Sequence, residues 1–197
     1  MQFAPTLVPE EVARANFYGL LARLFYAPPD AALLQTLAAS DELDAEDGGM
    51  ALAWRDLARA AATADPEAVR EEYEGAFIGT GKSPITLYTT AYSVRYTNEA
   101  PLVDLRRDLA GLRLARRSEA TEPEDHVAAL CEVMRYLIAE QKAELEQQKR
   151  FFEQWIWPAV QPLCGAIEKS EQMYFYRPVT RFAHAFFQLE HSAFDML

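Results

Sequence analysis

Apolar residues recur along most of this chain at helical spacing. Phe17, Leu20, Leu21, Leu24 and Phe25 stand at i, i+3, i+4, i+7 and i+8, which predicts an amphipathic helix over 9–27, stopped by Pro28 and Pro29. A short helix over 30–39 and an acidic loop, SDELDAEDG, come next. The alanine-rich run 50–64, with Leu52 and Leu57, reads as a helix. Asp65 ahead of Pro66 marks the start of another, reaching about Phe77. Leu102, Leu105, Leu109 and Leu112 predict a helix closed by Arg113, Arg116 and Arg117, whose charge suits a helix C-terminus. Thr121 and Glu124 have capping-box spacing and open a helix with the stripe Val127, Leu130, Cys131, Met134 and Ile138. Phe152, Trp155, Ile156, Val160, Leu163 and Ile167 predict a helix over 148–168, kinked at Pro158 and Pro162. Phe175, Val179, Phe182, Phe186 and Leu189 predict a last one over 171–192. With no strand-rich segment and no internal repeat, the expectation is an all-α, single-domain helical bundle over 1–197.

One stretch breaks the pattern. From Ile78 to about Thr97, glycine, proline, serine, threonine and tyrosine crowd together without a 3.6-residue period. A loop that long inside a compact domain is usually functional or disordered, and its tyrosines argue for order. Its GTGKS run resembles the end of a phosphate-binding loop. That loop needs G-x-x-x-x-G-K-[ST] after a strand. Here Ala76 stands where the first glycine belongs, Pro84 follows at once, and the preceding segment reads as helix. Two other readings remain. Gly79 and Gly81 permit positive-φ turns beside a solvated Lys82. Alternatively, the glycines shape a loop whose Phe77, Tyr88, Tyr92 and Tyr96 line a groove.

Charge and composition narrow the classes. The 197 residues are 50% hydrophobic, 12% aromatic and 25% charged, a globular composition, and the formal net charge is −11. So acidic a chain repels nucleic acid phosphates and anionic lipid headgroups and attracts cationic segments. The first residues read as carrying no export signal, and no apolar run reaches membrane-spanning length. Cys131 and Cys164 lie far apart in helical patterns and read as reduced, buried thiols. His184 and His191, seven apart near Glu190, lack tight ligand spacing, so no metal is expected. No G-x-S-x-G or C-x-x-C occurs, and no catalytic constellation is visible.

The remaining chemistry is concentrated in Glu122-Pro123-Glu124-Asp125-His126. Three carboxylates at a helix start can be simple capping. They can also present an anionic acceptor and a donor at a groove's end. Asp125 and His126 are about 100° apart around a helix axis, so they are not a catalytic pair.

These residues resemble the TorD/DmsD-type chaperones, the redox-enzyme maturation proteins that serve molybdenum-containing oxidoreductases. That family's helix-opening E-P-x-D-H is matched in full by Glu122, Pro123, Asp125 and His126. Its glycine-proline-aromatic block is met by Phe77, Gly79, Gly81, Pro84, Tyr88 and Tyr92, and its F-x-x-W-x-x-P stretch by Phe152, Trp155 and Pro158. Thr86-Leu87-Tyr88 replaces a proline-proline-tryptophan of many relatives, and Tyr73 takes another aromatic position. The resemblance implies an all-helical cytoplasmic protein with no catalysis of its own; the residues themselves point to no cofactor or metal, and the long loops make a domain-swapped dimer as feasible as a monomer. It implies as partner the twin-arginine leader of a molybdoenzyme catalytic subunit precursor, held until cofactor insertion; the acidic charge and the lack of a long apolar run argue separately for no nucleic acid and no membrane insertion. A NarJ-like chaperone for a non-exported tail is the alternative; some relatives bind guanine nucleotide weakly. On this reading Tyr73, Phe77, Tyr88 and Tyr92 form an apolar wall. Asp125, with Glu122 or Glu124, meets the arginines, and His126 orders that end.

Overall fold

The computed structural model describes residues 7–41, 43, 48–78, 83–92, 100–117 and 121–197. Nine α-helices occur among them: α1 Pro9–Tyr26, α2 Ala31–Ala38, α3 Gly49–Thr63, α4 Pro66–Tyr73, α5 Pro101–Gly111, α6 Val127–Ala139, α7 Leu145–Trp155, α8 Trp157–Lys169 and α9 Tyr176–Asp195. The all-α expectation holds, and the elements lie within a few residues of where the apolar period puts them.

The local rules explain most boundaries. The carboxylates of Asp30 and Asp65 accept from the backbone N–H groups of Leu33 (2.8 Å) and Ala68 (3.1 Å), capping α2 and α4. α1 lies along α6, α3 and α8 pack on α9, and α2 covers α3. Between them runs an aromatic core in which Phe17 meets Trp54, Phe182 and Phe186 at centroid distances of 5.7, 5.4 and 5.5 Å. Cys131 and Cys164 are free and buried, as expected, and burial pushes the Cys164 thiol up to about 12.

A buried ion pair ties α1 to α9. The Arg14 guanidinium donates to both Glu190 oxygens (2.7 and 2.8 Å) and to Gln148 Oε1 (3.0 Å), and the Tyr18 hydroxyl donates to Glu190 at 2.9 Å. A carboxylate this buried is tolerated because each oxygen has a donor.

Three expectations change. The single kinked helix over 148–168 is two helices, broken at Ile156. Pro158 has no N–H to give and sits instead in the first turn of α8, where none is needed. The arginines do not close α5. That helix ends at Gly111, and the Leu114 N–H reaches back to the Leu109 carbonyl (2.8 Å) across Arg113, whose φ is +60°. This closing turn sends Arg116 and Arg117 beyond the helix. Finally, α4 gives way to a π turn at Glu74–Ile78 rather than continuing regularly to Phe77.

Candidate functional site

The Glu122–His126 turn is tied to the aromatic segment by a short backbone bridge. Tyr88 and His126 form an isolated antiparallel pair. The Thr89 N–H donates to the Asp125 carbonyl and the Val127 N–H to the Leu87 carbonyl, both at 2.8 Å. The bridge holds His126 in extended backbone, φ −62° and ψ 131°, so no helix can begin before Val127. The capping box expected from Thr121 and Glu124 therefore does not form. His126 is the N-cap, its Nδ1 accepting from the Ala128 N–H at 3.2 Å. That bond leaves the ring proton on Nε2, and burial lowers the imidazole's pKa, against the raising effect of Glu122 and Asp125.

Each ionisable side chain of the turn has a partner. Glu122 accepts from the Tyr88 hydroxyl at 2.7 Å, which pushes that phenol up to about 12. Glu124 takes a two-pronged bond from Arg106 of α5, 3.0 Å on each oxygen, which holds its carboxyl below the ordinary range. Asp125 is buried and accepts from the Thr90 hydroxyl. The Tyr88 ring meets His126 edge-on at 5.6 Å, and the half-buried Tyr92 donates to the Thr86 carbonyl at 2.8 Å. Pro84 is exposed. Gly79, Gly81, Lys82 and Tyr96 lie outside the described residues.

Tyr73 and Phe77 sit elsewhere. Both are buried. The Tyr73 hydroxyl donates to the Phe25 and Tyr26 carbonyls (3.0 and 2.9 Å), serving the end of α1. Phe77 stands edge-on to Tyr73 and Tyr176, 5.1 Å from each. The two face each other and the core.

The cleft beside the turn is built from different residues. A groove of about 620 Å³ runs between α1, α5 and α6, with Glu122, Pro123 and His126 in one wall. Its floor is Ala22 of α1, Leu109 of α5 and Ala128, Ala129 and Val133 of α6, and Leu114 is delivered to it by the turn at Arg113. Tyr73, Phe77, Pro84, Tyr88, Tyr92 and Asp125 do not line it. Tyr26 and Tyr136, exposed by 56% and 36%, stand at its edge, so solvent-facing aromatic surface is present after all. Reasoning from aromatics missed the alanine floor; the small residues on the inner faces of α1 and α6 were the available signal.

The rim is of mixed charge. Glu132 accepts from Arg135 at 2.8 Å, and Arg116 donates to the Glu122 carbonyl at 3.3 Å. The Arg23 and Arg117 side chains also line the groove. Among the described residues no helix is long and apolar enough to cross a membrane.

Residues 43–164 match the family model for the nitrate reductase delta subunit. The chain belongs to this family. Its members are maturation chaperones of molybdoenzymes rather than catalysts, so the resemblance read from the motif holds at the level of redox-enzyme maturation chaperones. No curated protein matches the chain. The matched span contains the bridge, the Glu122–His126 turn, α5 and α6; α1 and α9 lie outside it.

Proposed function

We propose that this protein is a cytoplasmic chaperone that holds the N-terminal segment of a molybdenum-containing oxidoreductase catalytic subunit until cofactor insertion. The segment lies in the groove between α1, α5 and α6. The observation that carries this reading is the position of the Glu122–His126 turn: Glu122, Pro123 and His126 form a wall of an apolar-floored groove. A helical segment with one apolar face suits such a floor. Asp125 and Tyr88 act one step back, fixing the turn rather than touching the ligand.

In its exported form the ligand is a twin-arginine leader. The apolar stretch covers Ala129 and Val133, and the arginine pair meets Glu122 and Glu132 at the rim. A second reading, a client tail without the arginine pair, is favoured by two observations. The family model is that of the nitrate reductase delta subunit. The rim carboxylates Glu124 and Glu132 already hold Arg106 and Arg135.

Calorimetry with two peptides decides between them: one leader-type peptide and the same peptide with both arginines replaced by glutamine. At least tenfold tighter binding of the arginine form supports the leader. Equal or tighter binding of the glutamine form supports the tail. Ala129→Trp, which fills the floor, should weaken binding of either at least tenfold. If neither peptide binds the native chain, the groove is not the client site.

A further inference from the structure

Two helix C-termini converge at the far end of α9, and each brings a carboxylate. Glu153 stands in the last turn of α7 and Asp195 in the last turn of α9; neither last turn holds a basic residue. An acid at that end of a helix faces the negative pole of the dipole, an unfavourable place unless a cation is near. Two cations in this region are engaged elsewhere, and Arg150, three residues before Glu153 on α7, is exposed. Lys149 Nζ donates to the Phe194 carbonyl at 2.7 Å, and Arg14 is held by Glu190.

Beside the two acids lies an imidazole. His191 and Asp195 are four apart and share one face of α9, with Nε2 and Oδ2 3.4 Å apart. Ligands about 2.1 Å from a tetrahedral ion stand roughly 3.3–3.4 Å from each other, so this edge already has the required length. Glu153 completes the set: one ligand atom from each residue lies within 4.8 Å of the other two. The ring is pre-oriented. Trp157 of α8 stacks on it at 4.0 Å and 18°. Nδ1 is enclosed, with no hydrogen-bond partner among the described residues, which leaves Nε2 as the nitrogen turned toward the acids.

We propose that Glu153, His191 and Asp195 bind a divalent transition-metal ion of the zinc class. One imidazole nitrogen and two carboxylates match the donor preference of zinc and balance its charge. Three protein ligands leave a fourth position for water. The ion clips α7 to α9 at their C-terminal ends, on residues that the proposed client groove does not use.

The test uses the full chain, free of any affinity tag and stripped with a chelator, titrated with zinc chloride in a calorimeter at neutral pH. One equivalent should bind with micromolar affinity and raise the melting temperature. His191→Ala and Asp195→Asn should each weaken binding at least tenfold, and Glu153→Gln should do so too. His184→Ala should change nothing. All three acceptor variants alter partly exposed side chains, and circular dichroism verifies that they fold. Absence of zinc binding by the native chain overturns the proposal. So does binding that survives all three substitutions, because the ion then sits elsewhere.

Discussion

The cluster around Phe77 and the floor of the groove are both apolar, yet one is closed and the other open. Tyr73, Phe77 and Tyr176 fill their space with rings 5.1–5.7 Å apart. Ala22, Ala128, Ala129 and Val133 leave theirs unfilled, and about 620 Å³ remains beside them. Large side chains consume a cavity; small ones between diverging helices create it. The aromatics hold the body together, and the alanines give it a place to bind something.

Breaking the closed region should have the largest effect. Phe77→Ala removes a buried ring from two edge-on contacts and should cost about 3–5 kcal/mol. In a chain of this size that is a melting-temperature fall on the order of 10 °C. Thermal unfolding followed by circular dichroism checks it. A fall of only a degree or two means that Phe77 is not packed as described. Ala129→Trp tests the open region from the opposite side: peptide binding falls at least tenfold while the melting temperature changes little. Loss of both together would show that the groove is part of the core.

A smaller effect is expected where the closed cluster meets α9. Glu72 of α4 accepts from the Phe175 and Tyr176 N–H groups at 3.0 and 2.8 Å, capping α9 from a distance of about a hundred residues in sequence. Its replacement by alanine strands those donors and should lower stability by about 1–2 kcal/mol, measured by urea denaturation. Glutamine, which keeps an acceptor, should recover part of it.

The groove wall should respond to acid. His126 is a buried, neutral N-cap whose pKa is lowered mainly by burial. The unfolded chain therefore binds its proton first as pH falls. Stability is complete above the ordinary histidine value of about 6.5 and declines below it, down to the lowered folded value, after which no more is lost. His126→Asn keeps a capping oxygen and should flatten that part of the melting profile between pH 7 and 5. A profile that is unchanged by the substitution assigns the acid sensitivity to another group.

How much of this could be read in advance follows from the range of the forces. Helices α1 to α3 and the start of α4 are set by apolar period, prolines and the Asp30 and Asp65 caps, all local, and they are where the pattern places them; the ends of α4 and α5 and the start of α6 are not. The Glu122–His126 turn was legible as a special stretch. Its internal logic was not, because the bridge from Tyr88 to His126 joins residues 38 apart and displaces the local capping box. Aromatic residues near a loop, such as Tyr73 and Phe77, signal either a groove wall or a core, and only α9, through Tyr176, decides between them. The convergence of Glu153 on His191 and Asp195 is likewise invisible until α7 and α9 are side by side.

The smallest predicted change concerns the lip of the groove. Arg113 holds φ at +60°, a conformation that costs an ordinary L-residue about 1–2 kcal/mol and a glycine almost nothing. It is held there by the Leu114 N–H reaching the Leu109 carbonyl, the bond that turns Leu114 into the groove. Arg113→Gly relieves the strain but makes the unfolded chain more flexible, which takes back roughly 0.5–1 kcal/mol. The net gain should be a few tenths to about 1 kcal/mol in urea denaturation, with peptide binding unchanged because Leu114 keeps its place. If the glycine variant binds peptide more weakly while being more stable, the Arg113 side chain itself contacts the client, and the cationic rim extends three residues closer to α5 than Arg116 and Arg117 mark it.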